Sequence, residues 1–308
     1  LHSGGSTNLS GGMLEGYDQV RSTLSSQNVN RVLLLSDGLA NEGITDVNKL
    51  QQIVRSKYKE EGIAISTFGV GANYDEDLLT NLAEYGMGNY YYISSADKIP
   101  ELLTEELEGL LSVVAQNTKV SIDFQSEYFK PVKVYGYEHT LKGNTLTIDY
   151  NDVFSEEEKS VLIKFEVIRN PKSDMPFSIG LTYDDVLEDY KRVKKKAKKV
   201  LKLTSDRDTY DQAFIESVQR NIVLFEATER FELAAKEVDK GNYDDARRMI
   251  QENVVFMDES FKAVQPDSML LKQYTINRSY HTEISEIETK SAEEISSMQK
   301  SNKSSNYL

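Results

Sequence analysis

The sequence predicts an α/β domain with part of a doubly wound parallel sheet, followed by an antiparallel β-sandwich and an α-helical C-terminal region. Up to about residue 116, apolar runs of strand length alternate with amphipathic segments of helical period. From there to about residue 205 the apolar residues recur with a period of two, and beyond it the helical period returns. We therefore predict domains at 1–116, 117–205 and 206–300, and a disordered tail at 301–308.

The first region contains three predicted strands, at 31–36, 63–71 and 90–93. The first is a continuous apolar run that ends in Asp-Gly, as expected for a parallel strand buried on both faces. Four segments of helical period lie around these strands. Their apolar positions begin at Met13, Val47, Leu78 and Leu103, the last segment extends to Val114, and Ser10 and Asp46 precede the first two.

The second region reads as a small antiparallel sandwich, with turn residues at 143–144 and 170–171. Its period-two runs are 119–124, 132–137, 145–150, 160–168 and 177–183. Residues 190–203 fit either a helix or a strand, and we favour a closing strand. The basic residues at 191–202 fit an anionic surface, but a lysine-rich edge strand that discourages aggregation is the favoured interpretation.

The third region predicts two long helices separated by a break at Gly241-Asn242, and a third helix from 269 to 298. The break resembles the turn of a tetratricopeptide hairpin, although one hairpin does not make a repeat array.

Charge and composition exclude several functions. Fifty acidic residues against 36 basic ones give a net charge of -14, so broad contact with nucleic-acid phosphates is not expected. The absence of cysteine excludes disulfides and thiolate zinc sites in this chain. No apolar run is long enough to cross a bilayer, and no HExxH or GxSxG motif predicts an enzyme.

Two loops carry the most informative residues. The small-residue loop 4–12 leads into the first helix, and Asp37 follows the first predicted strand. Ligands of open parallel sheets bind outside the carboxyl ends of the strands, where both loops are expected. A threonine hydroxyl and an aspartate carboxylate suit a hard cation such as Mg²⁺, which takes oxygen ligands. The Thr7 hydroxyl and the Asp37 carboxylate are therefore suited to form part of the ligand shell of such a cation.

Gly5-Ser6-Thr7-Asn8 and the segment 36–43 resemble von Willebrand factor A (VWA) domains, especially bacterial members. The resemblance implies a metal-ion-dependent adhesion site, which combines an Asp-x-Ser-x-Ser loop, a threonine loop and an aspartate loop. A carboxylate of the bound protein completes its metal shell. Thr7 and Asp37 would take the threonine and aspartate roles. The regions that follow resemble those of bacterial proteins similar to inter-alpha-trypsin-inhibitor heavy chains.

The chain departs from this pattern because no Asp-x-Ser-x-Ser precedes Thr7. We expect the family's first strand and that loop to lie upstream of Leu1, so that the N-terminal part of the domain is missing. Metal affinity should then be weak or absent in this chain, with Mg²⁺, Mn²⁺ or Ca²⁺ bound in the intact protein. An exposed flank at 32–35 predicts a dimer, strand exchange or a retained upstream fragment.

These observations predict a non-enzymatic, adhesion-type module that binds a protein ligand through an acidic side chain. One alternative is an assembly scaffold that acts through the sandwich and helical regions, with a vestigial metal site. The resemblance also allows an accessory subunit of an ATP-driven remodelling complex.

Overall fold

The computed structural model describes residues 6–25, 28–71, 73–150 and 152–306, so Gly4 and Gly5 of the first loop lie outside the described residues. The first region is a parallel sheet of order β1-β2-β3. Its strands are β1 (Asn30–Ser36), β2 (Ile63–Val70) and β3 (Tyr90–Ile93). Its helices are α1 (Leu9–Ser22), α2 (Val47–Ser56), α3 (Glu76–Tyr85) and α4 (Ile99–Leu111).

Helices cover both faces of this sheet. Helices α1, α2 and α3 share one hydrophobic cluster with the face of β1 and β2 that carries Val32 and Ile65. Helix α4 lies on the opposite face, where its Glu106 contacts Arg31 and Ser66. Side chains of a strand alternate between faces, so the predicted apolar run of β1 is divided between the two layers.

Strand β1 pairs with β2 on one side, and the described residues place no strand on its other side. Val32 and Leu34 are nevertheless buried, because they pack in the cluster that contains α1. Leu35 is 46% exposed, so the apolar flank that was expected to be open at 32–35 is covered at Val32 and Leu34 but open at Leu35. The prediction of a dimer or a retained upstream fragment stays a prediction.

The helical segment predicted to reach Val114 ends earlier, at Leu111. Strand β4 (Val113–Asp123) follows almost at once, and it therefore begins before the predicted boundary at residue 117. The reason is tertiary, since Val113 pairs with Phe154 and Ala115 pairs with Val153 in an antiparallel ladder. Two consecutive valines at this point also favour a strand over a helix.

The second region consists of two antiparallel sheets of unequal size. Its further strands are β5 (Phe129–Val134), β6 (His139–Lys142), β7 (Thr145–Asp149), β8 (Val153–Phe154), β9 (Ile163–Val167), β10 (Met175–Asp185) and β11 (Lys191–Leu201). The six-stranded sheet has the order β11-β10-β4-β7-β6, with β8 beside β4, and β5 pairs with β9 in the other. Side chains of both sheets, including Leu146 and Phe165, meet in one hydrophobic cluster. Residues 190–203 contain the favoured closing strand.

The C-terminal region is helical, as predicted, with a break at Gly241-Asn242. It comprises α5 (Arg207–Gln212), α6 (Glu216–Asp239), α7 (Tyr243–Ser260), α8 (Ser268–Ser285) and α9 (Ala292–Asn306). The predicted helix from 269 to 298 is wrong, because the chain turns between α8 and α9. Ile287 is fully buried in that turn, and Ser291 and Glu294 exchange the two hydrogen bonds of a capping box.

The predicted disordered tail from residue 301 is helical up to Asn306. The cause is a chain of buried amides: Gln273 donates to Asn306 Oδ1 at 2.6 Å, and Asn277 Nδ2 donates to the Gln273 carbonyl. Asn253 Nδ2 in turn donates to Asn277 Oδ1 at 2.7 Å. Buried polar groups need such partners, so the polar tail is held in place by hydrogen bonds rather than by apolar contact. None of the helices in the described ranges is long and apolar enough to cross a bilayer.

A buried charge network joins the first two regions. Arg31, at the start of β1, contacts Glu106 of α4 at 2.9 Å and Asp152 of the second region at 2.6 Å, and each of these side chains is at most 2% exposed. Burial alone would raise the pKa of Glu106, but Arg31 and hydrogen bonds from Ser66 and Asn89 hold it below its usual value. Burial raises the pKa of Asp152 despite the contact with Arg31. The single guanidinium is thus shared by two carboxylates from different parts of the chain, and its charge balances one of them.

Replacing the shared cation should destabilise the fold strongly. Arg31→Met leaves both carboxylates buried without a counter-charge, and we expect the free energy of unfolding in urea to fall by about 3–5 kcal/mol. Arg55→Met is the matched control, since Arg55 pairs with Glu138 at the surface and should lose at most about 1 kcal/mol. Equal losses for the two variants would contradict the importance of the buried network.

Candidate functional site

Asp37 lies at the carboxyl end of the parallel sheet, directly after β1. Ser36 is buried, and its hydroxyl donates to the Gly38 carbonyl at 3.1 Å, which turns the chain at this point. The side chain of Asp37, between them, is exposed. The buried strand therefore presents a carboxylate at the sheet edge where ligands of this architecture bind.

Thr7 is tied to the same loop through its backbone. Its N–H donates to Asn41 Oδ1 at 2.7 Å, and its carbonyl accepts from the N–H groups of Asn41 and Glu42 at 3.1 and 3.3 Å. Ser6 adds a side-chain bond, with its hydroxyl donating to Glu42 Oε2 at 2.6 Å. The threonine loop and the aspartate loop are thus one hydrogen-bonded unit.

The Thr7 hydroxyl faces the aspartate loop at close range. A methyl group added at Gly38 would lie 2.8 Å from Thr7 Oγ1, so only a glycine admits this approach. Since Gly38 follows Asp37, the structure brings together the loops that carry the two predicted ligands.

Gly43 closes the loop against the start of α1. Its φ of +74° favours glycine, and a methyl group there would lie 2.4 Å from Asn8 Oδ1 and 2.5 Å from Ser10 Oγ. Ser10 was expected to precede the helix but lies inside α1, buried, where its hydroxyl accepts from the Ile44 N–H at 2.8 Å. Asn8 is the N-cap instead and accepts from the Gly11 N–H. The repeated small residues of both loops were the only sequence signal for this contact.

The oxygens of the two predicted ligands are available. Within the described ranges, the Thr7 hydroxyl and the Asp37 carboxylate have no hydrogen-bond or ion-pair partner. Their chemistry fits a hard cation, which prefers hydroxyl, carboxylate and water oxygens. They supply only two ligands, and no group of three or more His, Asp or Glu side chains suited to a metal occurs in the part of the chain that the structure describes.

The C-terminal helix reaches the same edge of the sheet. Lys300 of α9 is 5% exposed and donates to the Tyr74 carbonyl at 2.7 Å, in the loop between β2 and α3. Its ammonium lies 3.5 Å from the centre of the Tyr74 ring, and the Tyr74 hydroxyl is 2.6 Å from that of Tyr90. Sequence reasoning missed this contact, since Lys300 follows the end of the predicted helix at 298 and no local pattern indicates burial of a lysine there.

A three-layer parallel α/β domain with joined threonine and aspartate loops at its carboxyl edge defines a VWA-type module. The sequence pattern of the von Willebrand factor type A domain matches residues 1–105. Residues 1–105 therefore match the VWA domain family, and the match supports a bacterial protein that contains a VWA-type domain. Domains of this family commonly mediate protein interactions and often bind divalent metal ions.

A bacterial relative and two solved structures agree with this assignment. The chain is 35% identical over 175 residues to the uncharacterized protein YfbK of Escherichia coli, an alignment that covers 55% of this chain and 30% of that protein. The chain thus spans about a third of the length of this relative. The ArnB paralog VWA2 of Sulfolobus acidocaldarius has a TM-score of 0.57 at 15% identity, covering 100% of this chain and 72% of that one. A von Willebrand factor type A protein of Catenulispora acidiphila has a TM-score of 0.66 at 14% identity, covering 86% and 61%. These structures show the fold alone.

The close packing at Gly43 can be separated from its backbone conformation. Gly62 has a similar φ of +68°, but a methyl group there would meet nothing within 4 Å. We expect Gly62→Ala to cost about 1–2 kcal/mol in the free energy of unfolding, and Gly43→Ala to cost about 1–3 kcal/mol more, because it also forces Asn8 and Ser10 apart. Faster hydrogen exchange at the Ile44 amide should accompany Gly43→Ala alone. The same cost for both substitutions would contradict the loop geometry described above.

Proposed function

We propose that this chain is an adhesion-type protein-binding module whose loop site, Thr7 with Asp37, holds a divalent cation that recognises an acidic side chain of a partner protein. The observation that supports it most is the approach of the Thr7 hydroxyl to Gly38, next to Asp37, whose carboxylate makes no hydrogen bond or ion pair among the described residues. The proposed function is the binding of a partner protein, with no chemical reaction.

Each residue of the site has a distinct task. Asp37 supplies the negative charge that attracts the cation, and Thr7 supplies a neutral oxygen that adds a ligand without adding charge. A cation held by one carboxylate keeps a net positive charge and open positions, which water or a partner carboxylate fills. Gly38 and Gly43 keep the two loops close enough to act together, and Glu42 is already engaged by Ser6.

An assembly scaffold is the second candidate, and contacts of the helical region favour it. Helix α9 binds the first region through Lys300, while α6 contacts the second through Asn221, which donates to Ser160 Oγ at 3.3 Å. The ring of Phe225 also lies 6.2 Å from that of Tyr135. A rigid body built this way suits a protein that holds others in place, with the metal site vestigial.

Calorimetric titration with MgCl₂ and MnCl₂ tests whether the loops hold a cation. With so few ligands we expect a dissociation constant of about 1 mM, weakened at least about tenfold by Asp37→Ala and less by Thr7→Val, which removes a neutral ligand. Asp208→Ala is the control for the lost charge. Asp208 is exposed in α5 and makes no ion pair among the described residues. If the wild type shows no heat, or Asp208→Ala weakens binding as much as Asp37→Ala, the metal site is absent.

A capture experiment separates adhesion from scaffolding. The wild type and the variants Asp37→Ala and Asp208→Ala are immobilised and exposed to extract from the source organism. One sample of each contains about 5 mM Mg²⁺, which is several times the expected dissociation constant, and the other contains EDTA. Adhesion through the loop site predicts a bound protein that is lost with EDTA and with Asp37→Ala but kept with Asp208→Ala. A protein retained under every condition would contradict adhesion and support the scaffold.

A further inference from the structure

Strand β11 and the residue after it concentrate positive charge in an acidic protein. Residues 191–202 contain seven lysines and one arginine and no acidic residue. They hold eight of the 36 basic residues, so the rest of the chain has 28 basic against 50 acidic residues and a net charge of -22. The positive charge of the strand therefore stands out locally, because charges farther away than about 8–10 Å are largely screened at physiological salt.

The cations of β11 lie on both faces and along a free edge of the sheet. In the part of the chain that the structure describes, β11 is the outermost strand and pairs with β10 alone. Lys194, Lys196 and Lys198 alternate with Lys195 and Lys199, so the two sets point to opposite faces. All these lysines are exposed, and among the described residues only Arg192 of this strand forms an ion pair, with Asp184 at 2.9 Å.

Protection of the edge explains only part of this pattern. One or two lysines blunt an exposed strand, whereas seven repel one another at spacings shorter than the screening length. Asp184 and Asp185 of β10 lie opposite Arg192 and Lys191, but residues 176–183, opposite the other lysines of β11, include no carboxylate. The repulsion among those lysines opposes folding, and an external anionic surface would relieve it. The row of lysines on β11 therefore suits a partner surface that carries many negative charges.

Exposed aliphatic side chains flank the row of cations. At the turn between β10 and β11, Leu187 is 76% exposed. At the other end, Val200, Leu201 and Leu203 are 51%, 49% and 45% exposed. Strand β11, which ends with Val200 and Leu201, is about 36 Å long, so positive charge and apolar groups follow one another along one edge of the molecule.

We propose that this edge, β11 with Leu187 and Leu203, docks on the surface of an anionic phospholipid bilayer. Lysine ammonium groups would bind lipid phosphates while their stems lie along the interface, and the aliphatic side chains would enter the headgroup region. The acidic remainder is repelled by the same membrane, which orients the protein with β11 toward it. An acidic peptide or a nucleic acid would account for the cations but leave the flanking aliphatic groups without a role.

Sedimentation with vesicles tests this proposal on the whole chain. We expect binding to vesicles containing about 30% phosphatidylglycerol, none to pure phosphatidylcholine, and a decrease between about 0.05 and 0.3 M NaCl. The triple variant Lys194→Gln, Lys196→Gln, Lys198→Gln should lower the partition coefficient roughly a hundredfold, since each lysine near the surface contributes roughly a factor of five. These side chains are exposed and make no hydrogen bond among the described residues, so the fold should persist.

A second triple variant controls for total charge. Lys59→Gln, Lys142→Gln and Lys272→Gln change the net charge equally at exposed positions outside β11, and partition should stay within about twofold of the wild type. Leu187→Ser should weaken binding by up to about tenfold through loss of its apolar contact. The proposal is overturned if the wild type does not sediment with anionic vesicles at low salt, or if both triple variants lose binding equally. It is also overturned if the wild type binds polyglutamate or RNA but no vesicles.

Discussion

The pairing of Arg31 with Glu106 and Asp152 is the constraint on which the arrangement of the first two regions depends. Charges that are at most 2% exposed are tolerated only when they are paired and hydrogen-bonded, so the three elements that carry them cannot shift independently. Arg31 lies at one end of β1 and Asp37 follows the other end, about 20 Å away along the strand. A network that fixes the start of the strand therefore also fixes the position of the carboxylate of the candidate site.

Polar contacts likewise decide how the C-terminal helices attach. Apolar side chains fill the centre of the bundle, but they do not by themselves specify where a helix rich in serine, asparagine and lysine should lie. The amide chain that ends at Asn306 supplies that specificity, because a shifted register would break the buried hydrogen bond from Gln273 to Asn306 Oδ1. Lys300 extends the same principle to the first region, since its buried ammonium has the Tyr74 carbonyl and ring as partners. The helical region is thereby fixed to the edge of the sheet that carries the candidate site.

Much of the fold was accessible from the sequence, because long apolar runs and helical periods report burial directly. The strands at 31–36, 63–71 and 90–93 and the helical break at Gly241 follow from such patterns, whereas residues 190–203 fitted a helix as well as the favoured closing strand, because β11 is almost entirely exposed. Strand β6 was missed since every residue in it is exposed, and the tail was misassigned because its polar composition conceals the buried Asn306. In the site, spacing and resemblance placed Thr7 and Asp37 on neighbouring loops. The role of Ser10 depends on a contact 34 residues away that no local pattern encodes.

The charge of the chain makes the cation a requirement of the proposed adhesion rather than an accessory to it. Without a metal, the rim of the loop site presents the carboxylates of Asp37 and Glu42 in a protein of net charge -14, and an acidic partner would be repelled. A divalent ion at Asp37 reverses the sign of the potential locally, within a distance that salt does not screen. The lysines of β11 also make the local electrostatic potential positive, and they do so with side-chain charges alone, without a metal. The two surfaces thus present local positive charge on an acidic protein, and of the two only the loop site should respond to removal of the metal.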